Sequence, residues 1–516
     1  MSEVIALAPP PVAYHRDNSM WVDEQIWGHR LWDSQNPWLI FLEFMSVAEA
    51  CHDEGRLLDH GDRPFSLQFR PSRRLYLRNI LYNNEAMPEI AQRVADDGAA
   101  WREWLGWMQD NAQAVPDRDF SYLQKRFRSF HQFASLVAMI RSSTIESSWN
   151  KRWGSRFVFP FGRNAIYEDL NISGSSATRE YINFGRTGEI LYQMLVRSKH
   201  AAALRVHLGR AFDRQDPCDR LVELMQPGRS DDRQDRGGNS YLPYAKHPAF
   251  DAVGQDWLAV LALELPRFDA YPHLATLAAF HLARYQLNVA SDICGEGKAS
   301  FVCEVIAPRK TLIREVSVMS YLSNNQLPQR ALETYIREIG ETDSWRAAAA
   351  DPAGFATCRQ LLRDRVRWPR DEDDYDGPAD PDALLAALRR SALARHHQHV
   401  ANVHRSYGGG AGLVSRRGTK RLRYAPTDEL LKAIILANVP GRMEYGEFLS
   451  VIFDRYGLVI GEREARQVLS NEEFDKRAFQ ANSERLESRL RTLGMLRRLS
   501  DACAYVENPL RRAAAA

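Results

Sequence analysis

Cys294-Gly295-Glu296-Gly297-Lys298-Ala299-Ser300 comes nearest in this chain to residues that could do chemistry. It has the flavour of a phosphate cradle, in which glycine amides and a lysine hold a nucleotide's phosphates. The spacing fails, because Asp292 stands where the first glycine is needed and Ala299 replaces the required hydroxyl. Asp292, Glu296 and Lys298 also form the set a metal-dependent nuclease uses, with acids for the cation and a lysine for developing charge. Such residues usually sit on apolar strands, and here they sit among glycines.

Two further metal patterns fall short. Glu372, Asp374, Asp376 and Gly377 mimic a calcium loop, but its twelfth position would be Ala383 rather than glutamate. His396, His397, His399 and His404 share one expected helix, where only His396 and His399 have chelating spacing, and a polar helix face explains them as well. No Gly-x-Ser-x-Gly, HExxH or dinucleotide fingerprint occurs. The sequence therefore assigns no catalytic residue, no metal ligand and no cofactor. A nuclease at Asp292–Lys298 is kept as the alternative to a non-enzymatic role.

Basic residues give the better signal. Arg416, Arg417, Lys420, Arg421 and Arg423 follow one another without an acid, in two short β-compatible runs around a glycine turn. Lys476, Arg477, Arg485 and Arg489 fall on an expected helix, and Arg497 and Arg498 on an expected terminal ribbon. Residues 408–516 hold 19 Lys and Arg against 14 Asp and Glu, whereas the whole chain is only +2. Any contact with duplex DNA must then be local, through arginines that neutralise phosphates and release counterions. Glu472, Glu473, Glu484 and Glu487 share the same helix, so its charges also suit a solvated face with helical ion pairs.

The elements that would position these residues follow from local signals. Gly408-Gly409-Gly410 should end a long helix that begins near 381, since three glycines cost too much backbone entropy inside one. Thr427 or Asp428 should cap a helix carrying Leu430, Leu431, Ile434, Ile435 and Leu436. Further helices are expected over about 443–456, closed by Gly457, and 472–493, stopped by Gly494, with a short segment at 462–468 between them. A strand, a Ser-Asp turn and a second strand then run from Met495 to Val506. Three helices and a hairpin are the order of a winged helix-turn-helix, which places its third helix in the major groove. Such modules also dock proteins.

Upstream, the pattern is mainly α. Helices are expected at about 72–83, 85–95, 97–113, 119–147, 200–225, 247–263, 270–290 and 308–338, the last interrupted near Asn324-Asn325. Asn36-Pro37 should start another, and Trp101, Trp104 and Trp107 suggest a buried stripe. Short strands are expected at 65–69, 156–159, 165–167 and 300–306. Lys125, Arg126 and Arg128, followed by Lys151, Arg152 and Arg156 and interleaved with Phe127, Phe130, Trp149 and Trp153, have the mixed composition of single-strand binders, although an amphipathic core helix with a solvated basic end is the better account of them. Phe184-Gly185-Arg186-Thr187, before a helix that Thr187 could cap, could hold an anion.

With 516 residues, 45% hydrophobic and 26% charged, the chain has the composition of a globular protein of two or three domains. We read an N-terminal helical domain over 1–150 and a central helical domain with short strands over 151–370. An acidic linker at 371–380 precedes a helix and the winged-helix module at 381–516. Six scattered cysteines without a CxxC pair suit a reducing cytoplasm, and neither a signal peptide nor a membrane span is expected. Only nine of the 68 basic residues are lysine, a bias that genome composition could produce.

The stretches Arg423-Tyr424-Ala425-Pro426-Thr427-Asp428-Glu429-Leu430-Leu431 and Leu499-Ser500-Asp501-Ala502-Cys503-Ala504-Tyr505-Val506-Glu507-Asn508-Pro509 carry a resemblance. They resemble C-terminal segments of accessory proteins from bacterial anti-phage defence operons, of the methylation-associated type and the type built around HerA-like ATPases. The resemblance covers about a fifth of the chain and implies a non-enzymatic subunit that helps a defence complex engage DNA or a partner ATPase. A pure protein scaffold differs from this only in what the final module touches.

Overall fold

The computed structural model describes residues 4–7, 22–59 and 72–511, apart from gaps of which the longest are 148–152, 159–165, 181–186 and 228–240. The strand expected at 65–69, Trp149, Lys151, Arg152, Arg186, Asp371 and Glu372 lie outside the described residues. The architecture is mainly α, with a few short strands.

The chain opens with β1 (Ile5–Ala6), α1 (Val22–Trp27) and α2 (Pro37–Asp53). Asn36 caps α2 as its sequence predicts, accepting from the Leu39 amide at 3.0 Å, with Pro37 at the first helical position. The helix is buried on nearly every side, which makes it a core helix rather than a surface one. Next come α3 (Ser72–Leu81), α4 (Ala86–Arg93), α5 (Asp97–Asn111), α6 (Tyr122–Arg126) and α7 (Phe130–Ser142). They enclose a separate hydrophobic cluster around Trp101, Trp104, Phe130 and Phe133, with Trp107 only partly buried. The single helix expected over 119–147 is in fact two. Phe127 turns extended at the end of α6, and the Asp97 carboxylate captures the Phe130 amide at 2.6 Å to start α7.

An antiparallel sheet of β2 (Ile145–Ser147), β3 (Trp153–Val158), β4 (Ile166–Ser173) and β5 (Ser176–Glu180) follows in sequential order. Beyond it lie α8 (Thr187–Val196), α9 (Ala201–Asp213), α10 (Pro217–Met225), β6 (Tyr244–Lys246), α11 (Pro248–Leu261) and α12 (Arg267–Cys294). β6 pairs antiparallel with β1. α12 is the central helix of the main core, packing against α2, α11, and the later helices α13 (Leu312–Glu341), α17 (Val403–Gly410) and α18 (Asp428–Asn438). Between α12 and α13 runs β7 (Phe301–Val302); α14 (Asp343–Ala350), α15 (Phe355–Val366) and α16 (Pro381–Gln398) separate α13 from α17.

Two expectations are corrected here. α13 runs unbroken through Asn324-Asn325. Asn324 does not compete for its own backbone, because its amide donates to the Ser300 carbonyl at 2.8 Å and the Tyr424 hydroxyl at 2.9 Å. Gly408-Gly409-Gly410 does end a helix, but from inside its last turn, and the long helix expected from about 381 is divided into α16 and α17 at 399–402. A Cβ at Gly410 would lie 2.7 Å from Pro37 Cδ, and one at Gly408 would lie 2.8 Å from Val414 Cγ2. Close packing, rather than chain reversal, accounts for glycine at both positions.

The C-terminal part contains β8 (Val414–Ser415), β9 (Arg423–Tyr424), α18, β10 (Arg442–Glu444), α19 (Tyr445–Tyr456), β11 (Leu458–Val459), α20 (Glu462–Val468), α21 (Lys476–Thr492), β12 (Leu496–Ser500) and β13 (Cys503–Glu507). β10, β13 and β12 form an antiparallel sheet in that spatial order. β11 leaves that sheet and pairs in parallel with β7. A closed polar network joins the same part to the main core: buried Asp256 of α11 accepts from His281 Nε2 at 2.8 Å and from the Tyr456 hydroxyl at 2.6 Å. Burial alone would raise the Asp256 pKa, but His281, Arg455 and Tyr456 together hold it below the ordinary carboxylate value.

Candidate nucleic-acid interface

The local chemistry of the C-terminal helices follows the sequence. Thr427 caps α18, Gly457 closes α19 with φ +77°, and Gly494 follows α21 with φ +72°. α21 buries Phe479, Asn482, Leu486 and Leu490 and leaves Lys476, Arg477, Gln480, Glu484 and Arg491 outside. Asn482 fixes that orientation by donating to the carbonyls of Cys303 and Ile460 and accepting from the Val305 amide at 2.9 Å.

The eleven basic residues singled out by sequence separate into distinct environments. Arg416, Arg417, Lys420, Arg477 and Arg497 are exposed and form no ion pair among the described residues. Arg421 reaches Glu315 of α13 at 3.4 Å, Lys476 reaches Glu462 at 3.8 Å and Arg498 reaches Glu487 at 3.4 Å. These are surface pairs that a phosphate could exchange with. Arg485 is half-buried, and Arg489 spans Asp428 and the Pro426 carbonyl at 2.6 and 2.9 Å, tying α21 to α18.

Arg423 differs from all of these. It is fully buried, pairs with the equally buried Glu304, and donates to the Arg417 carbonyl at 2.7 Å. Arg314 holds the other oxygen of Glu304 at 2.9 Å. In this fold Arg423 has no path to a phosphate; it fastens the basic hairpin to the body.

The sheet adds a residue that the sequence reading missed. Leu496, Val506 and Met443 point inward, so the residues opposite Tyr505, namely Arg497 and Glu444, share its outer face. Arg442, two residues from Glu444, lies on that same face with its guanidinium 5.4 Å from the Tyr505 ring centroid. The signal was there in the alternation Arg-Met-Glu after Pro440-Gly441, which the helical reading of 443–456 absorbed.

The other chemical candidates do not assemble. Glu296, just past the end of α12, is ion-paired with Arg330 of α13. Asp292 lies in the last turn of α12, its pKa raised by partial burial against the pull of Lys298. His396 bonds to Asp23 at 2.8 Å and His399 stacks on Trp32, while His404 bonds to the Tyr424 hydroxyl at 3.0 Å. They face different partners and cannot chelate together. Among the described residues no group of three or more His, Cys, Asp or Glu could hold a metal ion. Thr187 is the first residue of α8 and contacts the Tyr407 hydroxyl at 3.0 Å. The first-turn amide of Gly188 already binds Glu43 at 2.6 Å, so the anion seat expected there is taken by the chain's own carboxylate.

No helix among the described residues is long and apolar enough to cross a membrane. No curated protein and no solved structure matches the chain. Residues 383–507, from α16 through β13, match the family model of methylation-associated defense system protein MAD7, which makes this chain similar over that segment to a component of a defence system.

Proposed function

We propose that the chain is a non-enzymatic accessory subunit of a methylation-associated defence system, and that its C-terminal part is a winged helix contacting duplex DNA. The observation that supports this is the three-stranded sheet in which β10, between α18 and α19, closes on the β12–β13 hairpin that follows α21, with Arg442, Tyr505 and Arg497 on its outer face. α21 would enter the groove through Lys476 and Arg477, while the wing and the hairpin residues Arg416, Arg417, Lys420 and Arg421 would meet phosphates. Arg423 and Arg489 serve the fold in this reading. The rival, a metal-dependent nuclease at Asp292–Lys298, is weakened by the Glu296–Arg330 pair.

The test is fluorescence anisotropy of the full chain with a labelled duplex over a salt series. Six phosphate contacts, from Arg416, Arg417, Lys420, Arg421, Arg442 and Arg497, would give a log–log salt slope of about −5. Arg417→Glu with Arg497→Glu should flatten the slope by about 2 and weaken binding more than tenfold. Absence of binding at low salt by the folded chain overturns the DNA contact and leaves protein docking. Metal-dependent cleavage lost on Glu296→Ala would instead establish the nuclease.

A further inference from the structure

A cavity of about 660 Å³ lies between the β1–β6 ribbon, α1 and the C-terminal end of α13, with α14 and α15 closing its far side. Sites for small molecules have volumes of roughly 300–1,000 Å³. Tyr241, Tyr244 and Tyr335 line the cavity, and their hydroxyls are already engaged. Tyr241 donates to the Leu7 carbonyl at 3.4 Å and Tyr244 to the Ile26 carbonyl at 3.1 Å, while Tyr335 accepts from Arg365 Nε at 3.2 Å. What these residues still offer a ligand is ring surface.

The polar groups of the lining narrow the ligand further. Trp345 is only 2% exposed, yet its indole N–H meets no acceptor among the described residues and is not sealed in as the unpartnered Trp257 N–H is. A buried indole ordinarily donates to something. The Arg365 guanidinium is stacked 5.0 Å from the Tyr335 ring centroid and bonds through Nε alone, so its Nη donors also lack an acceptor among the described residues. These donors call for a ligand that accepts hydrogen bonds, which a simple cation cannot do. Glu338 and Asp364 are exposed at the mouth and form no ion pair among the described residues; Asp364 accepts from the Gln360 amide at 2.7 Å. Two carboxylates against one guanidinium leave the lining net negative, which disfavours a phosphate. The ligand that fits is flat and neutral, with acceptors for the indole and guanidinium and donors for the carboxylates.

We propose that this cavity binds a phosphate-free nucleoside. The base would stack on the tyrosine rings and accept from the Trp345 N–H through a ring nitrogen or carbonyl oxygen. Glu338 and Asp364 would accept from the ribose hydroxyls, a role that acidic side chains fill well. This inference is independent of the DNA contact proposed above.

The experiment is calorimetric titration of the full chain with adenosine and guanosine, with AMP, ATP, glucose and tetramethylammonium as comparison ligands. At least one nucleoside should bind with a Kd of about 1 mM or tighter, and its 5′-phosphate about tenfold more weakly. Trp345→Phe keeps the ring and removes the donor, and should weaken the nucleoside about tenfold. Glu338→Lys, at an exposed and unpaired position, should leave the thermal melt unchanged and shift the preference to the monophosphate. Duplex affinity should be the same in both variants, so that failure of the DNA contact and failure of this site are read separately. No binding of either nucleoside overturns the proposal, as does nucleoside affinity unaltered by both substitutions. Equal affinity of the unaltered chain for nucleoside and nucleotide also overturns it. Binding of tetramethylammonium in place of the nucleosides would make the cavity a cation cage, and glucose binding as tightly as they do would make it a sugar site; either result overturns the proposal.

Discussion

Replacing Arg423 by methionine separates a structural arginine from a DNA-binding one. Its guanidinium lies in a fully buried pair with Glu304, and Glu304 is shared with Arg314, which is 13% exposed. Removing one partner of a buried pair costs about 3–5 kcal/mol, because the other charge stays in a poorly solvating interior. Two features pull the value to the lower end. Arg314 remains to hold Glu304, and Arg423 Nη1 has no hydrogen-bond partner, so the native pair is itself imperfect. A loss of about 3 kcal/mol raises the local opening constant roughly a hundredfold, at about 1.4 kcal/mol per tenfold. Hydrogen–deuterium exchange of peptides spanning β8 and β9 should accelerate by about that factor. The double variant Arg423→Met, Glu304→Leu should recover part of the protection, since it leaves only Arg314, which can reach water. Unchanged exchange in Arg423→Met, with duplex affinity falling as far as in Arg417→Glu, would refute a structural role for Arg423.

The remaining predictions concern pH and backbone. Burial pushes His404 down to about 3 and His247 to about 4, so both stay neutral in the fold while the unfolded chain protonates below about 6.5. Stability should therefore be unaffected above about pH 6.5 and fall as pH drops below it, by about 2 kcal/mol per histidine at pH 5. Urea unfolding at several pH values checks this, and His404→Gln, which keeps an acceptor for Tyr424, should flatten the slope by one proton. At Gly412, φ is +81° and a Cβ would overlap Thr427 Oγ1, the cap of α18. Gly412→Ala should cost about 2–3 kcal/mol from left-handed strain and a damaged cap. Gly409→Ala, where nothing lies within 4 Å inside α17, should be neutral or mildly stabilising in the same thermal melts.

What could be read from sequence was local. The cap at Asn36, the cap at Thr427 and the glycine stops at Gly457 and Gly494 each depend on residues within one turn, and each is present. The features that escaped depend on distant partners. Arg423 belonged to an uninterrupted basic run, and its burial is decided by Glu304, 119 residues earlier. The break between α6 and α7 is set by Asp97, 33 residues before the amide it captures. Glycine at 408 and 410 marks close approach to Val414 and Pro37, which chain entropy alone could not reveal. Arginine type and spacing located the basic segment, then, but could not tell which arginines would face water.

The same long-range contacts fix how the proposed DNA surface sits on the body. The segment 299–305 threads between the body and the C-terminal helices: the Phe301 amide donates to the Gly457 carbonyl at 2.8 Å, Cys303 to Val459 at 2.9 Å and Glu304 to Tyr424 at 2.9 Å. A Cβ at Gly457 would lie 2.5 Å from the Ala299 carbonyl oxygen, so this approach admits no larger residue. Tyr424 then bonds Asn324 of α13, and Ser317 of α13 donates to the Tyr424 carbonyl at 2.9 Å. The hairpin with Arg416 and Arg421 is therefore held on α13 by buried polar contacts, each of which would cost free energy if left unmade. Contact of this hairpin with phosphates is thus expected to need no rearrangement of the core.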